Sequence, residues 1–187
     1  MKYLFAATLL LLGFTTNAQG INKQAIDTWL VKCDTSYKAS KISGYAFNKI
    51  VYEPKDSVKF NNDLQSLKST ELLSIDPFWN EELLPTTDKP GKLMVLIVKK
   101  GEQTPAIKQS TLKLAISRYA PQKTGTSPAT KPVLIINGQP VSPTDSYAKL
   151  SNLKIESITD IYYSKHPVPA EYYGPTAKNG IVAVWTK

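Results

Sequence analysis

One cysteine (Cys33), one histidine (His166) and one arginine (Arg118) are all that this 187-residue chain has of three residue types on which much protein chemistry rests. A lone cysteine excludes an internal disulfide, so packing and hydrogen bonds must hold the fold. With one histidine, and no Cys-x-x-Cys or His-x-x-x-His spacing, a zinc-type centre has no ligand set. A serine triad would have to use His166, which precedes Pro167 in a proline-rich loop, and the sequence has no Gly-x-Ser-x-Gly elbow. A cysteine nucleophile would have to be Cys33, on what reads as the buried face of a helix. There is no glycine loop of the kind that cradles phosphates. Glu81, Glu82 and Asp88 could pair in principle, but adjacent carboxylates beside a proline-rich turn read as solvated. The sequence therefore points away from an enzyme, and no cofactor or metal is expected.

Charge is plentiful but of one kind. Lysine and arginine number 23 against 15 acids, a formal charge of +8, and nearly all of the excess is lysine. Base readout favours the planar guanidinium fork, so a nucleic-acid partner is not expected. The lysines are scattered, as on a solvated surface, with a weak attraction to anionic lipid or polysaccharide surfaces as the other reading.

Long apolar runs are absent after the N-terminus. There, Met1 and Lys2 lead into a largely apolar run of twelve residues, Tyr3 to Phe14, and then into Thr16-Asn17-Ala18. A basic start, a short apolar core and a small-residue ending make a secretory signal peptide, and the run is shorter than the roughly 20 residues a membrane-spanning helix needs. Removal of residues 1–18 leaves 169 and a formal charge of +7. No cysteine follows the apolar core to carry a lipid, since Cys33 lies well beyond it. An exported protein is expected, periplasmic or peripherally associated with an outer membrane, with no span after cleavage.

In residues 22–33, Ile26, Trp29, Leu30 and Cys33 recur at helical spacing behind Asn22 as N-cap, predicting an amphipathic helix with Cys33 buried. Residues 45–52 are aromatic and β-branched and read as one strand leaving through a turn at Glu53–Asp56. Leu93–Val98 is an unbroken apolar run suited to a central strand buried on both faces. Residues 106–119 fit a strand and a helix equally well. Residues 120–131, rich in Pro, Gly and hydroxyl groups, read as a linker, separating an N-terminal half (19–119) from a C-terminal domain (132–187). Beyond it, Val133–Ile136 reads as a strand closed by the turn pair Asn137-Gly138. Pro140 and Pro143 exclude a regular central strand. A short helix capped by Thr144, a strand over 155–163, a short helix over 170–173 ended by Gly174, and a strand over 181–185 entered through Asn179-Gly180 complete the chain.

Four segments in order, Pro132 to Val141 (PVLIINGQPV), Ile155 to Ile158 (IESI), Ala170 to Gly174 (AEYYG) and Asn179 to Lys187 (NGIVAVWTK), resemble the plug domain of TonB-dependent receptors of the Bacteroidetes type. That family has an INGxPV or IDGxPV turn followed by IESIxVLK, AxxYG and NGVIxIxTK. The resemblance implies a plug-like α+β fold, a small mixed sheet with short helices, and an envelope location. In the family a plug is followed by a membrane barrel, whereas this sequence stops at Lys187, and Gln19 to Lys23 lacks the energy-coupling box. Transport and coupling to TonB are not expected. Asn137, Gly138, Gly174, Asn179 and Gly180 are structural motif residues by this reading.

The first half can be read as a worn copy of the second. A shift of 83 sets Ile50-Val51-Tyr52 over Val133-Leu134-Ile135 and Ser74-Ile75 over Ser157-Ile158, and a shift of 89 sets Thr87–Gly91 over Thr176–Gly180. A chance match of strand-turn patterns is the rival. The expected function is a non-catalytic binding module that contacts another envelope protein, with Tyr162, Tyr163, Tyr172 and Tyr173 as candidate contact residues; the same rings also suit core and strand positions. The alternative is a soluble periplasmic module taking a small ligand or glycan between the halves.

Overall fold

A computed structural model describes residues 21–79, 91–121 and 130–187. The expected signal peptide, Gln19 and Gly20, the acids Glu81, Glu82 and Asp88, the segment Thr87–Pro90 and most of the expected linker lie outside them. The chain is α+β and divides into two compact units, one ending at Lys100 and the other beginning at Gly101. Each contains a four-stranded mixed sheet. Among the described residues no helix is long and apolar enough to cross a membrane.

In the first unit, helix α1 (Lys23–Cys33) starts as its sequence dictates, with the Asn22 side chain accepting the Ala25 N–H at 2.8 Å. Strand β1 (Ile42–Phe47) turns through Asn48 and Lys49 into β2 (Ile50–Tyr52), helix α2 (Ser57–Gln65) follows, and β3 (Leu72–Trp79) and β4 (Leu93–Lys99) complete the sheet in the order β2-β1-β4-β3. Residues 45–52 are thus two strands, not one. Asn48 and Lys49 both take positive φ, 50° and 64°, the geometry of a two-residue hairpin turn. The turn expected at Glu53–Asp56 is present after β2. Glu53 caps a turn of 3-10 helix over Pro54–Asp56 that leads into α2.

β4 is central, as expected, lying between β1 and β3. It is not buried on both faces, since Leu93, Val95 and Ile97 are buried while Leu96 is 39% exposed. Tyr45, Tyr52 and Phe60 stack inside this unit, ring centroids 4.7 Å (Tyr45–Phe60) and 5.0 Å (Tyr52–Phe60) apart. The two buried hydroxyls donate to carboxylates, Tyr45 to Asp27 at 2.6 Å and Tyr52 to Asp63 at 2.5 Å, which satisfies them inside an apolar core. Cys33 is half-buried rather than buried.

The second unit begins with helix α3 (Pro105–Tyr119), capped by Thr104, whose side chain accepts the Ile107 N–H. Leu112, Ala115 and Tyr119 of this helix pack with Leu134, Leu150, Ile158, Ile161, Val182 and Val184 in one cluster. The segment 106–119 is therefore a helix of the second unit, and the division falls at Lys100/Gly101, not within 120–131. Strands β5 (Val133–Ile136) and β6 (Gln139–Val141), helix α4 (Ser146–Ser151), β7 (Ile158–Ser164), the short helix α5 (Ala170–Tyr173) and β8 (Ile181–Thr186) follow, with sheet order β6-β5-β8-β7. β5 and β8 run parallel, Val133 opposite Ile181 and Ile136 opposite Val184. Asp145, not Thr144, occupies the N-cap of α4, and residues 155–157 form a 3-10 turn ahead of β7.

The two sheets share one strand order and one pattern of parallel and antiparallel pairing. The offsets differ from those read in the sequence. The hairpins superpose at 89 (Asn48 on Asn137), so Ile50-Val51-Tyr52 matches Gln139-Pro140-Val141 and not Val133-Leu134-Ile135. α4 is three residues shorter than α2, which brings the offset of β3 on β7 to 86, with Ile75 on Ile161. The pairing register gives 87 for the last strands, Val95 on Val182, so Gly91 falls two positions from Gly180.

Candidate contact surface in the second unit

The predicted site residues gather around β7, β8 and the segment between them. Asn137 and Gly138 form the hairpin turn with φ of 49° and 77°. The Asn137 side chain holds the last strand, accepting the Thr186 N–H at 2.8 Å and donating to its hydroxyl at 2.8 Å. Gly174 ends α5 at φ 82°, its N–H donating to the Ala170 carbonyl at 2.8 Å. From there a turn of 3-10 helix, Pro175–Asn179, leads to Gly180. A Cβ at Gly180 would stand 2.0 Å from the Ser164 carbonyl oxygen, so glycine is required for β8 to enter beside the end of β7. The Asn179 amide donates to the Lys131 carbonyl at 3.2 Å, tying this segment to the chain entering β5.

The four tyrosines do not form one patch. Tyr162 and Tyr163 are neighbours on a strand and so point to opposite faces. Tyr163 lies on the helix-covered face, partly buried against the cluster, with the Arg118 guanidinium 5.7 Å from its ring centre. Tyr162 pairs with Ala183 and projects from the other face. Tyr172 and Tyr173 do come together: on consecutive positions of α5, their rings meet edge to face at 6.4 Å and 80°, both half-buried. Tyr163 is thus a packing residue, and the paired rings of α5 make the most coherent contact feature.

His166 is half-buried two residues beyond Ser164, and its backbone N–H donates to the Ser164 hydroxyl at 3.1 Å. Burial, and then the Asp34 charge, push the Cys33 thiol up to about 12, so almost none of it is thiolate near neutral pH. Burial first, and then Tyr163, raise the Tyr119 hydroxyl, which donates to the Pro132 carbonyl at 3.0 Å. Among the described residues no three of His, Cys, Asp or Glu gather as metal ligands.

Sequence reasoning missed a polar strap on the same sheet. The Gly101 N–H donates to the carboxylate of Asp160 at 2.7 Å, and Asp160 is only 5% exposed. The Gln103 amide bonds Ile161 twice, accepting its N–H at 2.9 Å and donating to its carbonyl at 2.7 Å. An acid set between Ile158 and Ile161 in an apolar strand was the one available signal, since a buried carboxylate must find donors. Compared with family models, with curated proteins and with solved structures, the chain gives no match.

Proposed function

We propose that this chain is an exported, plug-like contact module of the bacterial cell envelope that binds another envelope protein through the segment between β7 and β8. The observation that carries the reading is the build of that segment. Gly174 and Gly180 bend it, Asn179 anchors it, and it presents Tyr172 and Tyr173 as a packed pair of half-buried rings. Large amphipathic rings held by a rigid backbone suit interfaces, because they gain area at little cost in conformational entropy.

The order of the turns supports a plug-like scaffold. An Asn-Gly hairpin, a glycine-ended short helix and a glycine-entered last strand close one sheet in which Val133–Ile136 and Ile181–Thr186 are parallel neighbours. In this reading the reactive residue types are bystanders: Cys33 is held as a thiol, and the protein acts by binding.

Affinity capture from a solubilised envelope fraction tests this, using the purified chain and its Tyr172→Ala/Tyr173→Ala variant. One envelope protein retained by the first and lost by the second, with an unchanged melting midpoint, is the expected result. Equal capture by both, or none by either, would overturn it.

A further inference from the structure

Helix α3 turns two large apolar side chains outward. Leu112, Ala115 and Tyr119 face the core, and Lys108 reaches inward to the Ile158 carbonyl at 3.3 Å. The helical repeat then sets Ile107, Ser110, Leu114 and Ser117 on the opposite side as one stripe, about 15 Å long at 1.5 Å per residue. Ile107 and Leu114 are 48% and 45% exposed. Single exposed apolar side chains are ordinary on a protein surface, but the serines between these two add to the stripe rather than interrupt it. The Ser110 hydroxyl donates to the Ile107 carbonyl at 2.9 Å and the Ser117 hydroxyl to the Leu114 carbonyl at 2.7 Å. Both hydroxyl hydrogens are thus turned into the helix's own backbone, and the stripe has none to offer a partner.

The flanks of the stripe are cationic. At 3.6 residues per turn Lys113 falls on one side of it and Arg118 on the other, both exposed, with the Arg118 guanidinium 5.7 Å from the Tyr163 ring centre. α3 contains no acid at all, whereas α1 and α2 each contain one, Asp27 and Asp63. The neighbouring α4 sets an exposed Lys149 against the Asp145 at its N-cap. The bias extends over the unit: residues 101–187 hold ten lysines and arginines against five acids, and residues 19–100 twelve against ten. A second copy laid antiparallel on the stripe would bring Lys113 and Arg118 up to their own counterparts with no acid to answer them. Charge therefore asks for an anionic occupant.

We propose that the outward face of α3 docks peripherally on an anionic lipid bilayer, with Ile107 and Leu114 entering the headgroup region and Lys113 and Arg118 meeting lipid phosphates. An apolar strip between cations, on a helix without acids, is the pattern by which a helix lies in the plane of a membrane interface. The apolar stems of Lys113 and Arg118 lengthen the strip while their charged ends reach the phosphates. An acidic protein would answer the charge as well, but it would be recognised through directional hydrogen bonds, and the inward-turned serines give none. A fluid interface needs only apolar area and charge. With two side chains inserted the attachment is weak and reversible, so it holds the chain at a membrane surface without a span.

Co-flotation with lipid vesicles tests this, using the chain purified after export. It should float with vesicles containing phosphatidylglycerol, stay behind with phosphatidylcholine alone, and bind less as salt rises. Ile107→Ser/Leu114→Ser and Lys113→Glu/Arg118→Glu should each lower the partition coefficient roughly tenfold or more, with unchanged melting midpoints. Lys38→Glu/Lys68→Glu makes the same change of charge at exposed positions of the first unit and should stay within about twofold of the unmodified chain. Should loss of Arg118 from the Tyr163 ring unfold the charge variant, Lys113→Glu alone carries that arm. No flotation with phosphatidylglycerol, equal flotation with both lipids, or an equal loss in Lys38→Glu/Lys68→Glu would overturn the proposal. Ile107→Ser/Leu114→Ser that floats as before but no longer retains an envelope protein would assign the face to an acidic protein instead.

Discussion

Asn137 and Thr186 exchange two hydrogen bonds across the second sheet, each 2.8 Å long, so the turn that ends β5 also fastens the last strand of the chain. The Asn137 N–H adds a third bond, to the Val184 carbonyl. One residue therefore does two separable things: it accepts a positive φ, and it clamps β8.

Asn137→Gly separates them. Glycine keeps the φ of 49° at no steric cost but deletes both side-chain bonds. The second unit should lose about 1–2 kcal/mol, roughly one per bond, seen as a lower denaturation midpoint with an unchanged slope. No change would mean that the clamp is idle and only the turn geometry matters.

Gly91 and Gly180 both have positive φ, 70° and 92°, and both lie just before the last strand of their sheet, yet they should respond differently to alanine. At Gly91 nothing lies within 4 Å of an added Cβ, so the cost is the left-handed backbone alone, about 1 kcal/mol. At Gly180 the Cβ would stand 2.0 Å from a backbone oxygen that cannot move without breaking the end of β7. Gly180→Ala should cost more than about 3 kcal/mol and lower the melting midpoint of the second unit far more than Gly91→Ala lowers that of the first. Separate calorimetric transitions for the two variants would check this.

Stability should fall in alkali. Burial, then the Asp63 carboxylate, push the Tyr52 hydroxyl up to about 12, whereas an unfolded tyrosine ionises near 10. The fold favours the protonated form, so this contribution is complete below pH about 10 and drains away as pH rises from there towards 12. Tyr45, raised by burial and then by Asp27, and Tyr119 act in the same direction. A plot of melting midpoint against pH should bend down above 10, and Tyr52→Phe should make the bend shallower.

Cys33 should be a slow thiol. With its ionisation pushed up to about 12 by burial and by Asp34, the thiolate fraction at pH 8 lies more than a hundredfold below that of an unperturbed cysteine. Alkylation by iodoacetamide should be slow in the native protein and fast in denaturant. Equal rates would show that the thiol is not desolvated.

Where local chemistry decided the structure, the sequence could be read. Asn22 capped its helix, Asn137-Gly138 turned, Gly174 stopped a helix, and the apolar runs 93–98 and 181–185 became the central strands. Where tertiary context decided, it could not. Lys49 at φ 64° has no local reason to be left-handed, so the first hairpin went unseen. Ile107 and Leu114 are 48% and 45% exposed on α3, so the apolar residues of that helix do not segregate to one face. Pro77 speaks against a strand until β3 is known to lie at an edge. The tyrosines announced aromatic character but not direction: alternation on β7 separated Tyr162 from Tyr163, and only the helical turn brought Tyr172 to Tyr173.

The claim that the β7–β8 segment is a contact surface is tested most directly by photocrosslinking in the native envelope. A photoreactive amino acid would replace Tyr172, with the exposed Tyr147 of α4 as the control position. The account predicts a single discrete adduct with one envelope protein from position 172 and none from 147. Adducts of equal yield from both positions, or none from 172, would contradict it.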